Sequence, residues 1–167
     1  MSETSHDIST LNEQSATTFD SIDGYTDASK SSDNPRFAAL LTARSVEREA
    51  AIRMLRTEVI RLGGRPDDSG TVLRGAHRMF MNLKSVIIGR GQSAIIAEVE
   101  QGEDHIKAKF EDAIADGDLS PQVMHTIREC YVSTKQGHDE MRNLKLSTNL
   151  THPPRVRATG LPRHRSA

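Results

Sequence analysis

The chain is predicted to be all-α, built as two helical hairpins joined by one long connection that carries a short helix of its own. Three observations carry this. Apolar residues recur at three- and four-residue spacing through most of the sequence. No stretch alternates with the two-residue period of a strand. The helix stops are strong and unevenly spaced, being short at "SSDN" and "DGDLS" and long between them.

Residues 1–7 are polar and acidic and are read as a disordered end. From Ile8 a helical period begins with Leu11, Ser15, Phe19, Ile22 and Tyr25. Its apolar stripe is thin, because Ser and Thr fill several inward slots. Those slots leave a groove that a protein partner or a second copy would fill. Asn34 then fits an N-cap and Pro35 the first helical position, where a missing N–H costs nothing. The second helix spans about 35–62 with Phe37, Leu40, Leu41, Ala51, Leu55, Val59 and Leu62 on its apolar side. "RLGGRP" stops it, a glycine taking the left-handed C-cap.

The connection holds an amphipathic segment over about 71–88, marked by Leu73, Ala76, His77, Phe80, Leu83 and Ile87. His77 is read there as a packing residue. The third helix covers about 92–116 with Ile95, Ile96, Val99, Ile106, Phe110 and Ile114. Ser120 caps the fourth and Pro121 starts it; its inward residues run from Val123 to Leu144. Residues 146–167 hold four arginines, no acid and three prolines, which reads as a disordered basic tail.

Short turns make the first two helices antiparallel, and likewise the last two. The long connection crosses the bundle and sets the second and third helices parallel. That is the ferritin-like arrangement of a four-helix bundle, spanning residues 8–145.

Composition narrows the function. Setting the tail arginines aside leaves 18 basic against 23 acidic side chains, so the body has no basic face for specific nucleic-acid binding. No apolar run is long enough to span a membrane, and no secretory leader is visible. A single cysteine, Cys130, fits a reducing cytoplasm and lacks the cationic setting of a nucleophile. The glycine-rich stretches lack the Lys-Ser/Thr of a phosphate loop.

A di-metal bundle needs carboxylates from two helices and a Glu-x-x-His from each of the other two. No Glu-x-x-His occurs in the second, third or fourth helix. Glu47, Glu103 and His138 are the best remaining ligands for iron or another divalent ion. His125 and Glu129 have chelate spacing but sit at the edge of the inward stripe. Glu103 and His138 fall on apolar stripes, each preceded by a glycine, Gly102 and Gly137. An interior glycine costs ~1 kcal/mol relative to Ala, so the pair of glycines predicts a close crossing of the third and fourth helices. Counted from their turn, Glu103 and His138 should stand about 7 Å apart in level, at ~1.5 Å per residue. Buried Glu103 needs a partner, and Lys107, Arg48, His138 or a metal ion would serve.

"RLGG-x-P-x-D-SG", the "H-R-x-F-x-N-L-K" segment after it and "GED" at residues 102–104 together resemble a bacterial family of small ferritin-like four-helix bundles of unknown function. The resemblance covers about residues 9–145. It implies the fold strongly and a cytoplasmic, stress-related setting more loosely; it implies no reaction. The leading expectation is a non-enzymatic protein acting through partners or self-association, without a cofactor. The alternative is a metal-binding bundle.

Overall fold

The computed structural model describes residues 2–67 and 91–151. They form four helices, with no strand among the described residues: α1 Glu3–Ser31, α2 Pro35–Arg61, α3 Gln92–Ala115 and α4 Pro121–Thr151. The amphipathic segment at 71–88, with His77, and the basic tail from residue 152 lie outside the described residues.

The helix ends follow local chemistry. The Asn34 side chain accepts hydrogen bonds from the N–H groups of Arg36 and Phe37, with Pro35 in the first turn. At the other end of α2, Gly63 takes φ 77°. The Gly63 and Gly64 N–H groups close back on Ile60 and Val59 carbonyls. Gly64 must also stay small, since a Cβ there would lie 2.8 Å from the Ile8 side chain.

Two ends differ from expectation. α1 starts at Glu3 rather than near Ile8. Ser2 caps it, and tertiary contacts hold its first turns: the Asp7 carboxylate accepts from the Ser120 N–H at the start of α4, and His6 meets Asp116 at 2.6 Å. α4 continues to Thr151, six residues past Lys145. There Ser147, Thr148 and Thr151 turn their hydroxyls onto carbonyls of their own helix.

α1 packs on α2 and on α3, and α4 packs on α3 and on α2, so α1/α4 and α2/α3 lie on the diagonals. Asn34 reaches Gln92 at one end of the bundle, and His6 reaches Asp116 at the other. The starts of α2 and α3 therefore share one end, and the two helices run parallel. The hairpins α1–α2 and α3–α4 are antiparallel.

The core falls into two apolar clusters. One contains Leu11, Leu55, Val59, Ile106, Phe110, Val123 and Ile127. The other contains Tyr25, Phe37, Leu41, Ile95, Ile96, Val99 and Met141. Between them the inward positions turn polar on every helix: Ser21, Arg48, Glu103 and Thr134 are all buried.

Candidate functional site

The polar belt is built around an arginine. Arg48 stands seven residues from both Leu41 and Leu55, so two turns of helix bring it onto their stripe. It is 0% exposed, and its partner Glu103 is 2% exposed. Arg48 Nη2 donates to Glu103 Oε2 at 2.6 Å. Nε donates to Ser21 Oγ at 3.2 Å and Nη1 to Ser133 Oγ at 3.2 Å, while Nη2 also lies 3.5 Å from the Thr134 carbonyl. Ser21 in turn donates to Glu103 Oε1 at 3.0 Å. One guanidinium thus links all four helices, and both carboxylate oxygens have donors.

Tyr25 closes the belt from α1. The Arg48 guanidinium carbon lies 5.8 Å from its ring centroid, within cation–π reach. Its hydroxyl is buried without a well-formed hydrogen bond. Burial, and then the neighbouring Glu103 charge, hold its pKa well above the ordinary phenol range.

His138 forms the outer shell of the belt. Its side chain is 5% exposed, with Nε2 2.6 Å from Asp104 and Nδ1 3.0 Å from Asp139. Asp104 of α3 and Asp139 of α4 thus hold the two nitrogens of the ring. Asp104 adjoins Glu103, which places His138 level with the belt rather than a turn away. Side chains lean toward the N-terminus of their helix. In an antiparallel pair that brings His138 back toward the turn and Asp104 away from it, and the expected offset closes.

Glu103 is therefore held by Arg48, and not by Lys107, which bonds Glu111 instead. Gly137 leaves room beside the belt. A Cβ on it would stand 2.7 Å from Arg48 Nη2, 3.0 Å from Glu103 Oε2 and 3.1 Å from Tyr25 Oη. The missing side chain makes room for the ion pair. The Ser and Thr slots of α1 likewise face the interior and are satisfied there: Ser15 and Thr18 bond carbonyls of their own helix.

The three residues singled out as metal ligands do not converge. Glu47 is half exposed and paired with Arg44, Glu103 is engaged by Arg48, and His138 by two aspartates. Among the described residues no group of three or more His, Cys, Asp or Glu side chains is arranged to hold a metal ion. The donors present do not fit a shared ion. His125 and Glu129 make an exposed contact of 3.6 Å on the surface of α4. Cys130 is buried, and burial pushes its thiol up to about 12.

The model of a domain of unknown function, DUF2383, matches residues 6–116. This chain belongs to the DUF2383 family. No curated protein matches it. The matched DUF2383 region takes in α1, α2 and α3, and with them Ser21, Tyr25, Arg48 and Glu103. The fourth wall of the belt, Ser133 to His138, comes from α4 beyond the match. No helix among the described residues is long and apolar enough to cross a membrane.

Proposed function

We propose that this DUF2383 chain is a ferritin-like bundle of the bacterial cytoplasm that works without catalysis, by associating with a second copy or another protein. The parallel, diagonal placement of α2 and α3 supports the ferritin-like reading of the fold. The observation that carries the functional reading is the belt. A four-helix bundle builds cofactor and metal chemistry from side chains at its centre. Here that place is taken by Arg48, whose positive charge opposes a cation, and whose bonds tie up the buried Glu103 carboxylate. The interior then holds the helices together, and the surface is left for the work.

Elemental analysis of the untagged protein from iron- and zinc-replete cells tests this reading, run beside Glu103→Ala and His138→Ala. The expected result is no stoichiometric metal, with the variants changed in melting temperature alone. One or two ions per chain, lost in both variants, would overturn it in favour of a metal protein using Glu47, Glu103 and His138.

A further inference from the structure

The last two turns of α4 present leucines to the outside. Leu146 is 54% exposed and Leu150 83%. They stand four residues apart, on one side of the helix. Ser147 beside them is exposed too, and its hydroxyl donates to the Asn143 carbonyl at 3.0 Å. Thr148 and Thr151 donate likewise to the Leu144 and Ser147 carbonyls. These hydroxyls are satisfied within their own helix, so leaving water costs them little.

Charge at this end is one-sided. No acid follows Glu140 in the sequence. Arg142 is exposed on α4, and beyond Thr151 the sequence adds Arg155, Arg157, Arg163 and Arg165. The nearest acids on α4, Asp139 and Glu140, are paired with Lys135 and Arg44. α4 runs antiparallel to α3, so its last turns lie at the end of the bundle where Asn34 meets Gln92. The opposite end is a length of α3 away, ~36 Å at ~1.5 Å per residue. Screening at 0.1 M salt acts over ~10 Å, so acids at that far end do not cancel the cations here.

Two signals coincide: apolar side chains facing out of a helix, and a run of cations beside them. An anionic lipid surface answers both, since leucines enter the acyl boundary and arginines meet headgroup phosphates. Nucleic acid shares the phosphates but has no apolar layer for the leucines. Single strands are held by stacking on aromatic rings, and residues 141–167 contain no Phe, Tyr or Trp.

We infer that the end of α4 and the basic stretch after it dock on an anionic lipid bilayer, with the acid-rich body turned away from it. The leucines and the arginines act together, because neither signal alone holds a protein stably at such a surface.

Co-sedimentation of the untagged full chain with vesicles of phosphatidylglycerol, and separately of phosphatidylcholine, tests it. The wild type should bind the anionic vesicles and leave the neutral ones, and salt should weaken the binding. Leu146→Ser with Leu150→Ser should lower the partition about tenfold with helical circular dichroism unchanged. Should that variant lose its helix, Leu150→Ser alone, at the more exposed site, gives the same comparison. Arg155→Gln with Arg157→Gln should lower the partition about twentyfold, near fivefold for each cation. A wild type that leaves phosphatidylglycerol vesicles unbound overturns the inference. Binding indifferent to the leucine changes overturns the docking of α4. Equal affinity for duplex DNA or single-stranded RNA, read by fluorescence anisotropy and lost with the arginine changes, overturns the lipid in favour of a nucleic acid.

Discussion

Gly137 of α4 and Arg48 of α2 are matched in shape: the missing Cβ of one is the space into which the guanidinium of the other fits, 2.7 Å from where that Cβ would stand. Gly137→Ala sets two effects against each other. Alanine favours the helix by about 1 kcal/mol. Overpacking a filled interior costs about 1–3 kcal/mol, and here the crowded atoms belong to a bonded ion pair that cannot swing aside. The net expectation is a lower denaturation midpoint for Gly137→Ala, read by urea unfolding. A variant more stable than wild type would show that the guanidinium moves freely.

Arg48 and Glu103 should be strongly coupled. Removing either partner leaves a buried charge unpaired and costs about 3–5 kcal/mol. Replacing both with apolar residues of similar volume, Arg48→Met with Glu103→Leu, removes the desolvation of both charges. It should recover most of the loss or exceed the wild type. Ser21 and Ser133 lose their partners in that double variant, which limits the gain. A double-mutant cycle by chemical denaturation measures the coupling, and additive single losses would show that the pair does not act as a unit.

Most helix boundaries were legible because their chemistry is local. Asn34-Pro35 and Gly63 act on neighbouring backbone groups, and the structure places helix ends there; α4 starts at Pro121 as expected, but the buried Ser120 hydroxyl makes no capping bond. The start of α1 was not legible, since Asp7 and His6 are ordered by Ser120 and Asp116, more than a hundred residues away. The belt was half legible. Glycine and glutamate on a buried stripe marked α3 and α4, but the choice among partners for Glu103 needed three-dimensional distance. Lys107 lies one turn along the same helix, where it reaches the surface. Arg48 comes from the opposite corner of the bundle and reaches the interior. Its place midway between Leu41 and Leu55 was the available signal.

Acid should weaken the ion pairs along α3 and α4. The Asp139 carboxyl is held below its ordinary value by Lys135 and then His138, and Glu111 by Lys107 and then Tyr131. A lowered folded pKa means that the unfolded chain binds the proton first. The stabilisation is therefore whole above the ordinary carboxylate values of 3.8 for Asp139 and 4.5 for Glu111. It is lost as pH falls below them and through the folded values. Unfolding free energy measured from neutral pH to about pH 2 should fall on the acid side. Asp139→Asn should flatten part of that fall, and an unchanged profile would count against these carboxylates as a source of acid sensitivity.

Cys130 offers a readout of opening between α4 and α2. Its thiol is enclosed by the cluster of Leu11, Leu55 and Phe110, donates to the Ala51 carbonyl at 3.7 Å, and is pushed up to about 12 by burial. The thiolate is the reactive form, so at pH 8 the native chain should be almost inert to a disulfide reagent, and it should react fully in denaturant. The native rate then measures opening of the α2–α4 contact. Gly137→Ala crowds the Arg48 guanidinium that bridges those two helices, and it should raise that rate. If labelling of the native wild type were as fast as in denaturant, Cys130 would lie outside the packed interior and the cluster around it would not close as described.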